Sequence, residues 1–267
     1  MAKLFEKSVK GLLIDITGVL YDSGHNNAIK GSINAVKLLS ERNIPHKFVT
    51  NESQVNRDGL VAKLRRAGFD LNPDQILCPV MVCRQYVLSK GLRPHVLVHN
   101  DVKCEFEDLQ STEANCVIIG DAHKFFTYDA MNDAFRALMK MKEPLILSMG
   151  KGKYYEDCGK LTIDLGAFTA ALEYAADAKT VIIGKPSKEY FNMALESLGL
   201  KADEVIMVGD DINADIAGAQ SNGIRAVLVR SGKYRAERDE NHVSIKPNHI
   251  VNNLEEIVNM VIKHLDS

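Results

Sequence analysis

Four short stretches of the sequence place polar side chains directly after an apolar run. They are GLLIDITGVLYD around Asp15, VTNES around Thr50 and Asn51, IIGKP around Lys185, and VGDD around Asp210 and Asp211. An uninterrupted apolar run is typical of a strand buried on both faces of a parallel sheet. Ligands bind at the carboxyl edge of such sheets. We therefore expect the polar side chains of these stretches to meet at one sheet edge.

The carboxylates brought to this edge would need a compensating cation. Asp15, Asp210 and Asp215 would repel one another, and their charged forms would be disfavoured without one. Mg2+ takes oxygen ligands and keeps positions open for a substrate phosphate. The sequence thus indicates a Mg2+ site.

A lysine and a hydroxyl at the same edge suit a phosphate group. Lys185 would supply a point charge, while Thr50 and nearby backbone N–H groups would donate hydrogen bonds. The Asp15 carboxylate could then attack phosphorus and form an aspartyl phosphate that water hydrolyses. Simpler interpretations stay open at this point, because Asp15 could cap a turn and Thr50 and Asn51 could cap a helix.

The elements that must position these residues follow an α/β pattern. Apolar spacing predicts a helix at 30–41 and a strand at 46–50, which with the first strand form a β-α-β unit. A separate α/β unit follows, and the first pattern returns with a strand at Thr180–Ile183. We therefore predict an α/β protein with a Rossmann-like parallel-sheet core, residues 1–79 and 180–267, and an inserted α/β domain, residues 80–179.

Two other features are open to a functional interpretation. The turn Gly150–Tyr155 (GKGKYY) could bring Lys151 or Lys153 to an anionic substrate. His95 and His99 could suggest a second metal, although we expect partly buried strand histidines. The polar loop 231–248 is predicted to be mobile.

Composition excludes several classes of protein. The 267 residues carry a formal net charge of -2, so there is no basic field for nucleic acid. No apolar run approaches the roughly 20 residues of a membrane span, and the N-terminal stretch lacks the apolar core of a signal peptide. We expect no membrane partner and a cytoplasmic location, with the nucleus as a second one. Five cysteines, none in CxxC spacing, indicate reduced thiols.

The motifs resemble those of the haloacid dehalogenase superfamily in kind and order. They are DITGVL at Asp15, TN at Thr50, GK at Lys185 and GDDxxxD from Asp210 to Asp215. The insertion between the second and third motifs resembles the branch with a C2-type cap, so residues 80–179 would be that cap. The similarity runs along nearly the whole chain.

This resemblance implies a role for each motif residue. Asp15 would be the nucleophile and a metal ligand, Thr17 would offer its backbone carbonyl to Mg2+, and Asp210 would complete the metal site. The residues implied to bind the substrate phosphate are Asp15, Ile16, Thr17, Thr50, Asn51 and Lys185. The implied substrates are inorganic pyrophosphate and the phosphoramidates phosphohistidine and phospholysine. A homodimer formed through the cap is implied as well.

Thr17 departs from the pattern of the superfamily. Its phosphatases usually place a second aspartate two residues after the nucleophile, as general acid and then base. A threonine cannot exchange a proton in this way. Either another group substitutes, or the leaving group needs little help, which suits pyrophosphate and protonated phosphoramidates.

Three other functions compete with a Mg2+-dependent phosphohydrolase of this kind. A phosphomonoesterase of the same branch, acting on phosphoglycolate or pyridoxal phosphate, is disfavoured by Thr17. A signalling receiver domain would be about half this length and would carry its acidic pair on the first strand. An inactive binding module is disfavoured because all four motifs are present.

Overall fold

The fold is built on two parallel β-sheets. The computed structural model describes residues 4–22, 27–157 and 160–267, and for 156 and 157 it describes the backbone alone. The strands are β1 (Gly11–Asp15), β2 (His46–Val49), β3 (Ile76–Leu77), β4 (Pro94–Leu97), β5 (Cys116–Ile119), β6 (Leu145–Ser148), β7 (Tyr154–Asp157), β8 (Lys160–Ile163), β9 (Lys179–Ile182), β10 (Val205–Gly209), β11 (Arg225–Val229) and β12 (His249–Val251). The helices are α1 (Ser32–Glu41), α2 (Arg57–Arg66), α3 (Pro79–Lys90), α4 (Asn100–Lys103), α5 (Tyr128–Met139), α6 (Leu165–Ala176), α7 (Lys188–Leu198), α8 (Gly218–Ser221), α9 (Ala236–Asp239) and α10 (Leu254–Leu265).

The six-stranded sheet has the order β12-β11-β10-β1-β2-β3, and every pair in it is parallel. Strand β1 lies in its interior, with Gly11 opposite Val205 of β10 and Leu12 opposite His46 of β2. All five residues of β1 are buried, as its unbroken apolar run predicted. The predicted α/β fold with a parallel-sheet core is confirmed.

The chain leaves β1 toward β2 and β3 on one side and later returns to β10 on the other. The strand order therefore reverses between β1 and β10. In open α/β sheets such a reversal opens a crevice at the carboxyl ends of the two strands. Asp15 and Asp210 stand at those two ends.

The four-stranded sheet has the order β4-β5-β6-β9 and is also parallel. It belongs to a second unit, residues 51–60 and 78–184, whereas the first unit comprises 1–50, 61–77 and 185–267. Helix α5 packs on β4 and β5, and α6 packs on β6. Each sheet therefore has its own apolar core.

Strand β9 differs from the sequence prediction. The strand expected at Thr180–Ile183 was assigned to the core, but β9 pairs with β6 of the four-stranded sheet, where Leu145 lies opposite Lys179. Apolar periodicity predicts that a segment is a strand, but it does not predict which strand it pairs with. A strand of the inserted unit and a strand of the core therefore have the same pattern in the sequence. The second unit accordingly extends to residue 184, beyond the predicted limit of 179.

The remaining predictions concern cysteine, histidine and membrane segments. The four described cysteines, Cys78, Cys83, Cys104 and Cys116, are free thiols, and Cys158 lies outside the described residues. His95 is half-buried in β4, while His99 caps α4 through Nδ1, which accepts the Asp101 N–H at 3.3 Å. Among the helices of the described segments, none has the length and apolar character to cross a membrane.

Candidate active site

Three buried carboxylates meet at the carboxyl edge of the six-stranded sheet. Asp15 ends β1, Asp210 follows β10, and Asp215 lies in the π-helical turn Ile212–Ala217. Each offers an oxygen within 4.8 Å of the others. Their exposed fractions are 6%, 2% and 1%, so water screens the repulsion between them poorly.

Lys185 lies between two of these carboxylates. Its Nζ is 2.6 Å from Asp15 Oδ1 and 2.7 Å from Asp215 Oδ1, and it donates to the Val49 carbonyl at 3.2 Å. Burial alone would lower the pKa of Lys185, but the Asp15 and Asp215 carboxylates raise it above its ordinary value. The ammonium is therefore a fixed positive charge at the end of β1.

Asp210 is held in a cradle of backbone. Its Oδ2 accepts the Lys233 N–H at 2.7 Å, and a Cβ on either Gly18 or Gly232 would lie 2.0 Å from that oxygen. Both glycines also have positive φ, at +89° and +59°. Burial first, and then the charges of Asp15 and Asp215, raise the pKa of Asp210 well above its ordinary value.

Asp215 ties the loop after β10 to the cluster. Its Oδ2 accepts the N–H groups of Asp210 at 3.2 Å and of Asp211 at 3.1 Å. A Cβ on Gly209 would lie 2.3 Å from Asp215, so only glycine fits there. Burial and the Asp15 charge raise the pKa of Asp215 to about 7, against the opposing effect of Lys185.

These residues fit a divalent metal ion. Three buried carboxylates face one buried ammonium, so negative charge is in excess, and the pKa values of Asp210 and Asp215 are raised by burial and by the neighbouring carboxylates. All the donors are oxygens, which hard divalent cations prefer. A divalent cation would offset the excess negative charge at this edge.

The segment after Asp15 turns sharply. The Ile16 side chain is fully buried, and the Ile16 carbonyl accepts the Leu20 N–H at 2.8 Å. Thr17 is half-buried, and its Oγ1 donates to the Tyr21 hydroxyl at 3.2 Å. The position where an acid would be expected thus carries a hydroxyl hydrogen-bonded to a phenol, with no carboxylate.

Thr50 and Asn51 fall in different units. Thr50 is buried after β2, and its backbone N–H donates to the Tyr190 hydroxyl at 2.8 Å. The same hydroxyl lies 2.7 Å from both the Thr50 and the Leu77 carbonyl oxygens, so it can donate to either. Asn51 is half-buried and belongs to the second unit, where its Oδ1 lies against Gly184.

Sequence reasoning missed Tyr190 and the segment Ser231–Lys233. Ser187 caps α7 by accepting the Tyr190 N–H at 3.2 Å, and this start of the helix directs Tyr190 inward. Ser231 and Lys233 lie in the loop predicted to be mobile, yet the structure anchors both, with Ser231 Oγ donating to the Gly18 carbonyl at 2.6 Å. A sequence signal existed, because Val229 ends a buried strand just before this segment.

Comparison with known proteins identifies the family of this chain. A model described as haloacid dehalogenase-like hydrolase matches residues 12–112, and a second HAD-hydrolase-like model matches 182–257. The chain is 43% identical over 260 residues to human phospholysine phosphohistidine inorganic pyrophosphate phosphatase, covering 97% of this chain and 96% of that protein. The chain belongs to the haloacid dehalogenase-like hydrolase family.

Other relatives are consistent with this assignment. Haloacid dehalogenase-like hydrolase domain-containing protein 2 of Bos taurus is 34% identical, covering 97% of this chain and 98% of its own length. The solved structure of 4-nitrophenylphosphatase from Thermotoga maritima superposes with a TM-score of 0.87 at 25% identity, covering 95% of this chain and 97% of that chain. The protein is therefore a hydrolase of the phosphatase type, and phosphatases of this family generally use a divalent metal.

Proposed function

We propose that this haloacid dehalogenase-like hydrolase is a Mg2+-dependent phosphohydrolase that acts on inorganic pyrophosphate and on phosphoramidates such as phosphohistidine and phospholysine. The observation that carries the proposal is the buried cluster of Asp15, Lys185 and Asp210 at the point where the strand order reverses. The relatives that share over 40% of its sequence are named for this activity.

Asp15 is the proposed nucleophile. One carboxylate oxygen forms a bond to phosphorus as the bridging P–O or P–N bond breaks, and the electron pair leaves with the phosphate or the amine. Water then attacks the same phosphorus, the aspartyl O–P bond breaks, and Asp15 is restored as inorganic phosphate departs. Lys185, 2.6 Å from Asp15 Oδ1, fixes the carboxylate in position and draws the phosphate toward it.

Mg2+ would be held by Asp15, Asp210 and the Thr17 carbonyl, and when bound it would stabilise the negative charge of the transferring phosphoryl group. Thr50, Asn51 and the N–H groups around Ile16 are the proposed phosphate donors. Tyr190 fixes the Thr50 backbone, so Thr50 is held in place for this task.

Thr17 supports the choice of substrate. Its hydroxyl cannot replace a carboxylic acid as proton donor, and such a donor is typically worth about 10²- to 10⁴-fold in rate. Phosphate leaves as a stable anion and a phosphoramidate nitrogen leaves already protonated, so neither requires that donor. An alkoxide does.

A substrate panel with Mg2+ tests the proposal. It compares kcat/KM for pyrophosphate, phosphohistidine, phospholysine and an alkyl phosphate, with metal-free protein as the control. We expect turnover of the first three to exceed that of the alkyl ester by about 10²-fold or more. Preference for the alkyl ester would instead favour phosphomonoester hydrolysis, the second candidate, which the 4-nitrophenylphosphatase likeness supports.

We also propose a homodimer. The β7–β8 hairpin supports it, because Tyr154 lies opposite Ile163, and Leu161 stands on the same face two residues away. These three side chains are 63%, 62% and 75% exposed, an unusual density of apolar surface for two short strands. Analytical ultracentrifugation of the wild type and of Leu161→Lys would show whether the pair forms and whether this face holds it.

A further inference from the structure

Lys233 stands on a backbone that is fixed to the acidic cluster. Its own N–H donates to Asp210 Oδ2 at 2.7 Å, and the preceding Gly232 approaches Gly18 so closely that a Cβ on Gly232 would lie 2.6 Å from the Gly18 Cα. Ser231 adds a hydrogen bond to the Gly18 carbonyl. The Lys233 side chain therefore starts from a defined point beside Asp210.

A buried carboxylate holds the same loop from its other end. Asp239 is fully buried and accepts the Arg235 N–H at 2.7 Å and two guanidinium bonds from Arg238, at 2.5 and 2.9 Å. Arg238 in turn donates to the Lys233 carbonyl at 2.9 Å. Hydrogen bonds within the protein therefore hold the loop on both sides of Lys233.

The two lysines of the site differ in how they are held. Lys185 is 3% exposed, and its ammonium is engaged by Asp15, Asp215 and the Val49 carbonyl. Lys233 has a side chain that is 61% exposed, and among the described residues its ammonium has one hydrogen-bond partner, Asp211 Oδ2 at 3.2 Å. An exposed ion pair of this kind is worth little and is easily exchanged.

The charge of Lys233 is secured by its surroundings. Desolvation would lower its pKa, but the Asp211 and Asp210 carboxylates raise it above the ordinary value. The cluster is net negative, with four carboxylates (Asp15, Asp210, Asp211, Asp215) against Lys185 and Lys233. A bound divalent cation would offset that excess but not a further anionic group on the substrate, which calls for another cation on the solvent-facing side of the site.

Pyrophosphate brings such a group. In-line displacement puts the leaving phosphate on the side of phosphorus remote from Asp15. Because Asp15 is buried, a substrate has to reach it from the solvent side, and we expect the leaving phosphate to lie there. We infer that Lys233 is a specificity-determining residue. Its ammonium gives up the hydrogen bond to Asp211 and binds the leaving phosphate of pyrophosphate. This inference rests on the proposed pyrophosphatase activity.

The test compares two substrates that differ in the charge of the leaving group. Pyrophosphate releases an anion, whereas phosphoramidate releases a neutral amine, and neither needs a proton donor at Thr17. In Lys233→Met we expect the ratio of kcat/KM for pyrophosphate to that for phosphoramidate to fall about 10- to 100-fold, the typical effect of one charge-assisted hydrogen bond. Lys233→Arg should restore most of the ratio, and Lys263→Met, an exposed lysine of α10, should leave it unchanged.

A second measurement does not depend on turnover of pyrophosphate. Methylenediphosphonate, which is not hydrolysed, should inhibit phosphoramidate hydrolysis by the wild type, and its inhibition constant should rise about tenfold in Lys233→Met. Equal losses on both substrates would show that Lys233 only anchors the loop, and the inference would be overturned. An unchanged ratio and inhibition constant would also overturn it. Failure of the wild type to hydrolyse pyrophosphate would defeat the proposed function first, and that result is seen without any variant.

Discussion

The two parallel sheets of this protein end in different ways. At the carboxyl edge of the six-stranded sheet, the ionisable side chains of Asp15, Asp210 and Lys185 are buried. At the same edge of the four-stranded sheet a buried polar group is the neutral Ser148, whose Oγ donates to the Gly150 carbonyl at 2.7 Å and lies 3.0 Å from Thr169 Oγ1.

Asp121, which follows β5 at the second edge, shows the same contrast. Its Oδ1 accepts the His123 N–H at 3.0 Å and its Oδ2 accepts a bond from Gln54 at 2.7 Å, so it closes a turn with neutral partners. Burying charge is costly unless it is paired or binds a cation. The difference teaches that the strand ends of one fold pattern can carry either structural or chemically reactive polar groups. Among the residues that the structure describes, a cluster of three buried carboxylates is found at the first edge alone.

The largest expected effect comes from removing the proposed nucleophile. Asp15→Asn should lower turnover about 10³-fold or more, because a neutral amide cannot attack phosphorus. The matched control is Asp121→Asn at the second edge, which should lose less than about tenfold. Steady-state phosphate release measures both, with circular dichroism as the check on folding. Comparable losses in the two variants would break the comparison between the edges.

Asp210→Asn should act through the metal. We expect the Mg2+ concentration for half-maximal activity to rise about tenfold or more and the maximal rate to fall, since an amide is a weaker ligand for a hard cation than a carboxylate. Titration of activity with Mg2+ measures the shift. An unchanged titration curve would remove Asp210 from the proposed ligands.

Thr17→Asp should sharpen the chemical side of the comparison. Because an alkoxide leaving group requires a general acid, the added carboxyl should raise kcat/KM for an alkyl phosphate, about tenfold or more, and change that for pyrophosphate less. The ratio of the two substrates in both proteins is the measurement. If the wild type already hydrolyses the two equally, another group supplies the proton.

Ser148→Ala, at the edge of the four-stranded sheet, should have the smallest effect, and it should lower stability instead of activity. It removes one buried hydroxyl together with its hydrogen bonds to the Gly150 carbonyl and to Thr169 Oγ1, so the free energy of unfolding should fall by about 1–2 kcal/mol. Activity per folded molecule should stay near that of the wild type. Denaturant titration gives the first quantity and phosphate release the second. A large loss of turnover with unchanged stability would assign chemistry to the second edge.

Much of the fold and of the candidate site could be predicted from the sequence, because the local pattern of residues determines strands, helix starts and turns. The apolar run before Asp15 gave a buried strand, Ser187 gave the start of α7, and the small residue Gly18 marked the turn beside the carboxylate. The chemical types at the four strand ends predicted a phosphate and metal site, and the family assignment is confirmed by the comparisons. The roles of the individual residues stay predictions.

Only the tertiary structure decided which strands pair and which distant atoms meet. In it, β9 pairs with β6 of the four-stranded sheet, and the Tyr190 hydroxyl contacts the Thr50 backbone 140 positions away. Asp210 lies between Gly18 and Gly232. The physical reason is that a one-dimensional pattern records whether a residue prefers to be buried. Hydrogen bonds and ion pairs between remote segments depend on sheet order and register, which are settled only when the whole core packs.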